Sequence, residues 1–128
     1  MLRYLYIGIG GAAGALLRYW ISGLIQRFLN GGFPWGTLSV NLIGALIIGF
    51  LWGAFESVIV SQNIKLFCFI GVLGSFTTFS TFSIENFHLL RDGEYNFFAI
   101  NVLASFLLGM ILVFAGYFLS RYIFDAVR

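Results

Sequence analysis

Four apolar runs dominate the chain, at roughly 4–25, 37–59, 65–90 and 96–121. Each is long enough for one helical crossing of a bilayer, whose hydrocarbon core of about 30 Å takes about 20 helical residues. Backbone placed in lipid must satisfy its hydrogen bonds internally, which leaves helices as the solution for runs of this length. The expected architecture is therefore an all-α membrane protein with four transmembrane helices in a single domain spanning 1–128. The links read "QRFLNGGFPWG", "ESVIVSQNIK" and "RDGEYN" and leave no length for a soluble domain. The first run is too long for the apolar part of a signal peptide and carries Arg18, so it is expected to stay in the protein.

Function classes can be excluded from what the links and runs contain. Only 9% of residues are charged and 60% are apolar, and the charges gather in the links. A net charge of +2, scattered along the chain, does not suggest a nucleic-acid partner. Cys68 is the single cysteine and reads as a small buried apolar residue. His88 is equally solitary, near a helix end. Without a second His, a Cys pair or clustered carboxylates, neither a transition-metal site nor an acid–base dyad is in view, and no enzyme is expected.

Orientation follows from the basic residues. Four crossings put both termini on one side with Arg3, Lys65, Arg121 and Arg128; the other side has Arg27 and Arg91, with Arg18 leaning that way from within its helix. So small an asymmetry is compatible with insertion both ways up, the alternative being one orientation with the termini inside. Small residues at helical spacing, Gly10 with Gly14 and Ala45 with Gly49 and Gly53, let backbones approach, within one chain, between chains, or both.

Polar residues within the runs need partners. Arg18 either snorkels to the interface or serves a structural role; Asn41 sits just inside the second run; Asn101 and Ser105 stand four apart and predict a polar stripe on the fourth. The third run contains "GVLGSFTTFSTFSIENF" at 71–87, with Thr77 and Thr78 at its midpoint. Glycines weaken a helix there, and consecutive hydroxyls compete for backbone hydrogen bonds, so an interruption is predicted near Gly74 to Thr78. An interruption frees carbonyl oxygens, which lipid tolerates only when they are buried, wetted or ligating a cation. Beyond it, Phe79 and Phe82 share a face among Ser80, Thr81, Ser83 and Glu85. Those rings are either plain packing or a surface whose positive edges face an anion.

"GGAAGALLRYW", "PWGTLSVNLIGALIIG" and "GVLGSFTTFSTFSIENF", in this order, resemble the Fluc/CrcB family of fluoride channels, and the likeness covers most of the chain. The resemblance implies an antiparallel homodimer of dual topology in a prokaryotic plasma membrane (the inner membrane of a Gram-negative cell), with two fluoride pores and one structural sodium ion at its centre. It makes Phe79 and Phe82 the pore phenylalanines and assigns the backbone carbonyls of Gly74 and Thr77 to sodium. It places Asn41 in a vestibule, Ser80, Thr81 and Glu85 on a hydroxyl-rich track, and Asn101 and Ser105 on the pore face of the fourth helix. Arg18 would help to order the break. Ser75 and Phe76 stand where the family often has another glycine before the Thr pair, and Asn101 where it often has an aromatic hydroxyl.

The implied activity is passive. Fluoride left in the cytoplasm by dissociation of hydrogen fluoride would leave down its electrochemical gradient, which fits a chain with no phosphate-binding loop. Two other classes share the architecture. A small drug/proton antiporter also uses four short helices, but it needs a central carboxylate, and Glu56 and Glu85 lie toward helix ends. A non-transporting membrane subunit would pass no ions at all.

Overall fold

A computed structural model describes residues 1–126, all helix and short connections, with no strand among them. Arg128, counted above with the terminal side, lies outside the described residues. Helix α1 is Leu2–Phe28 and α2 is Trp35–Ser57. Helix α3 runs over 62–76 as three continuous pieces: Gln62–Lys65, a π-helical stretch Leu66–Leu73, and Gly74–Phe76. Helix α4 is Phe79–Arg91 and α5 is Tyr95–Ala126.

Helices α1 and α5 outrun their apolar runs because nothing in the flanking residues stops them sooner. Helix α1 continues until the Asn30, Gly31, Gly32 link, where Gly31 takes a φ of 143° that a side chain would resist. Helix α5 continues past its apolar run with Arg121 and Asp125 one turn apart, 3.7 Å between charged atoms. Helix α2 stops where Val58 turns extended, at φ −131° and ψ 150°, in a β-branched stretch. Gly93, at φ 79°, closes α4: Glu94 N–H returns to Leu89 O at 2.8 Å, and the chain reverses into α5.

Three long helical segments, Trp35–Ser57, Gln62–Arg91 and Tyr95–Ala126, are long and apolar enough to cross a membrane. Helix α1, with 27 residues, has the length. Its glycines and Arg3, Arg18 and Arg27 dilute its hydropathy, so three spans rather than the expected four meet the criterion on composition.

Glycine decides which helices pair. A methyl group added at Gly10 would meet Phe67 O at 2.7 Å, and one at Gly14 would run into Val72 O, so α1 lies backbone to backbone on α3. On the other side, Gly49 faces Val113 O, Gly53 faces Tyr117 O at 3.0 Å, and Gly116 faces Leu46 O, which seats α2 on α5. Both spacings therefore pack helices within one chain. Ala45, the third member of its ladder, lines an open groove instead. The two pairs meet where Gly36 approaches Ser22 O and Gly44 approaches the Thr77 side chain.

Candidate ion pathway

The predicted interruption is real and narrower than expected. Gly74 keeps helical angles, φ −62° and ψ −27°, and the break falls on the two threonines: Thr77 has ψ 157°, Thr78 has φ −149° and ψ 119°. Their side chains explain this. Thr77 Oγ1 donates back to Leu73 O at 3.0 Å, while Thr78 Oγ1 accepts from Thr81 N–H at 3.2 Å as the N-cap of α4. The π-helical turns just before the break are a further interruption that composition did not announce.

Asn41 joins the broken helix to α2. Thr78 N–H donates to Asn41 Oδ1 at 2.8 Å, and Asn41 Nδ2 donates to Thr78 O at 3.1 Å, so one amide satisfies both main-chain groups of a buried residue. Two carbonyls lose their helical donors in consequence. In an unbroken α-helix the N–H groups of residues 78 and 81 would close on Gly74 O and Thr77 O. Here they are committed to Asn41 Oδ1 and Thr78 Oγ1.

The break opens on a groove of about 620 Å³, whose lining includes Asn41, Gly74, Thr77, Phe79, Phe82 and Ser105 and no ionisable side chain. The Phe79 and Phe82 rings lie 5.8 Å apart between centroids, tilted by 34°, and Phe79 is 79% exposed. A side chain so open makes little packing within its own chain. Ser80 and Thr81 stand beside this lining through Thr78, whose Oγ1 lies 3.3 Å from Ser80 Oγ and 3.0 Å from Thr81 Oγ1.

Other expected site residues lie apart from the groove. Asn101 is 1% exposed and donates to Asn86 Oδ1 at 3.1 Å, and Asn86 in turn donates to Phe82 O at 2.8 Å. Residues four apart are about 40° out of line around a helix, which is enough to turn Ser105 to the groove and Asn101 inward. Ser105 Oγ is buried without a protein partner. Glu85 lines a separate cavity of about 630 Å³ at the α1–α2 link, with Gln26, Thr37, His88, Asp92 and Glu94. Thr37 Oγ1 donates to Glu85 Oε1 at 2.6 Å, and Glu85 Oε2 has no protein partner. At the rim of that cavity the Arg91 guanidinium, 2.8 Å from Asp92, holds the Asp92 carboxyl below the usual carboxylate range. Arg18 is half-buried on α1 and makes no hydrogen bond or ion pair with the break among the described residues.

Thr37, Gln26 and Asn86 complete this framework and were not singled out from the sequence; Thr78 was expected at the interruption but not as the N-cap of α4. Gln26 stitches α1 to α2, accepting from Gly36 N–H at 2.9 Å and donating to Phe33 O at 3.0 Å. Thr37 had a visible signal, since it precedes Asn41 by one helical turn and shares its face. Thr78 had another, a threonine immediately before a helix start.

Apolar helices around a broken helix, with freed backbone groups opening on an uncharged groove, define an integral membrane protein of the discontinuous-helix type. The chain belongs to the CrcB family: residues 5–117 match its sequence profile, described as "CrcB-like protein, Camphor Resistance (CrcB)". Relatives named "Fluoride-specific ion channel FluC" include one from Parabacteroides distasonis, 43% identical over 128 residues and covering 100% of both chains. One from Geobacter sulfurreducens is 44% identical over 122 residues, 94% of this chain and 98% of its own. One from Salinibacter ruber is 45% identical over 116 residues, 91% of this chain and 87% of its own. The resemblance drawn from three sequence stretches thus holds across the chain.

Proposed function

We propose that the protein is a fluoride-selective ion channel of the bacterial plasma membrane, exporting cytoplasmic fluoride passively, with α1 as a fourth crossing. The observation that carries this reading is the uncharged groove at the Thr77–Thr78 break, where the exposed Phe79 ring and the half-buried Phe82 ring sit beside amide and hydroxyl donors. A small anion loses its hydration there to donors from Asn41, Ser80, Thr81 and Ser105 and to the positive edges of Phe79 and Phe82. Proton-coupled drug export is disfavoured by the same lining, because Glu85 and Glu56 lie in other cavities.

The working unit in this reading is an antiparallel homodimer, in which a second copy covers the groove and the exposed Phe79. Gly74 O and Thr77 O, deprived of helical donors, suit a hard cation that takes oxygen ligands. Two copies would present four such oxygens to one structural sodium ion, whose charge would tie the two breaks together. Arg18 and Asn101 serve packing and positioning, and Glu85 lies at a mouth rather than in the constriction.

Fluoride efflux from liposomes containing the purified protein, set against chloride efflux, tests the activity. Fast fluoride release with chloride release at the level of empty liposomes is expected; no ion release, or proton-driven drug uptake, would sink the reading.

Orientation has its own test. Cysteines placed singly at Arg27 and Arg91 in a Cys68→Ser background should each be labelled from both faces of the membrane across a cell population. Labelling from one face alone would remove dual topology.

A further inference from the structure

The ends of two spans enclose a second site away from the groove. The last turns of α2 and the first turns of α3 surround a cavity of about 300 Å³ lined by Trp52, Phe55, Glu56, Lys65 and Phe69 among others. That volume falls at the lower end of small-ligand pockets. Phe69 stands 5.6 Å, centroid to centroid, from both Trp52 and Phe55, so three rings form one wall.

The Glu56 carboxylate is held in place from two sides. Trp52 Nε1–H donates to Oε1 at 2.9 Å, and Tyr117 O–H donates to Oε2 at 3.0 Å. Each carboxylate oxygen keeps a second acceptor site. Lys65 lines the same cavity, yet the ion pairs among the described residues are Arg91–Asp92 and Arg121–Asp125. Opposite charges therefore face one space without closing on each other.

We propose that this cavity binds the headgroup of an aminophospholipid, phosphatidylethanolamine in class. Its primary ammonium would donate to Glu56 and lie against the ring faces, which attract cations. Its phosphate would meet the Lys65 ammonium. The position selects a lipid over a free zwitterion, since Ser57 ends one span and Gln62 begins the next, which puts the cavity at the membrane–water boundary with Trp52 and Tyr117 as interfacial aromatics. A phosphatidylglycerol head offers Glu56 neutral hydroxyl donors but no cation, and a choline head has no N–H to donate. This site is independent of the fluoride reading.

The test is retention of added dioleoyl phosphatidylethanolamine, phosphatidylglycerol or phosphatidylcholine by the delipidated full-length protein, counted by native mass spectrometry. Phosphatidylethanolamine should be retained with at least about tenfold preference, equivalent to about 1.4 kcal/mol. Glu56→Gln should remove most of that preference, Lys65→Gln should lower retention of all three lipids because it loses the phosphate contact they share, and Glu94→Gln, remote from the cavity, should change neither. Because the Lys65 side chain makes no hydrogen bond or ion pair among the described residues, Lys65→Gln separates loss of ligand from loss of fold. Water-soluble phosphoethanolamine at millimolar concentration should not displace the lipid. Equal retention of the three lipids, an unchanged preference in Glu56→Gln, unchanged retention in Lys65→Gln, or displacement by phosphoethanolamine would overturn the assignment.

Discussion

Fluoride efflux should fall by about two- to tenfold when Phe79 or Phe82 is replaced by Ile, with folding left nearly intact. Isoleucine keeps much of the apolar bulk and removes the ring quadrupole, whose interactions are worth about 0.5–1.5 kcal/mol each. A barrier raised by about 1.4 kcal/mol slows passage tenfold. If the rings were packing residues, the effect would run the other way. Phe79 is 79% exposed in its own chain, so its replacement would change chain stability little, and a packing role could show only as a weaker dimer. Efflux per folded dimer, with dimers counted by gel filtration, separates the two. Flux at the wild-type level in both single variants would return Phe79 and Phe82 to the ordinary packing residues.

Asn41→Leu should be the most disruptive single change at the break. Leucine fills a similar volume but leaves Thr78 N–H without its 2.8 Å acceptor and Thr78 O without its 3.1 Å donor, in a residue that is 7% exposed. Each orphaned buried group costs about 1–3 kcal/mol, so a loss of about 2–6 kcal/mol is expected in unfolding experiments in detergent. Thr78→Val is the companion. It removes the N-cap oxygen that Thr81 N–H uses and keeps both bonds to Asn41, so it should cost about 1 kcal/mol. Equal stability of Asn41→Leu and the wild type would mean that the break holds its shape without α2. In that case the alternative donors of an unbroken helix, closing on Gly74 O and Thr77 O, would have to be kept out by some other contact.

The break shows how far local chemistry reaches. Adjacent threonines at the middle of an apolar run compete with the helix through their own hydroxyls, and both do so here, at Leu73 O and at Thr81 N–H. The interactions span four residues or fewer, so the neighbouring sequence encodes them. Gly74 was expected inside the break and remains helical, because a glycine weakens a helix without supplying anything to replace its hydrogen bonds. The partner that fills that need, Asn41, is 37 residues away in the chain.

Asn101 and Ser105 illustrate the limit from the other side. Their spacing correctly puts them one turn apart on one helix. Which of them faces the groove depends on how α5 is rotated against α2, and Gly49 and Gly116 set that by bringing the backbones into contact. Likewise, Glu85 was expected on a hydroxyl-rich track with Ser80 and Thr81. The Thr37 hydroxyl holds it in another cavity, at a partner 48 residues away.

By itself the sequence determined the helical, membrane-spanning character of the chain, the place of the interruption to within a few residues, and the glycine spacings along which helices could meet. All of these arise from hydropathy and from groups within about one helical turn of each other. Tertiary structure alone decided that α1 pairs with α3 and α2 with α5, that Asn41 occupies the broken end, and that Glu85 and Asn101 lie apart from the phenylalanine groove. A buried donor or acceptor must find a partner, but its own neighbourhood does not say which helix will supply it; that is settled when backbones in contact at glycine fix each helix's rotation and height.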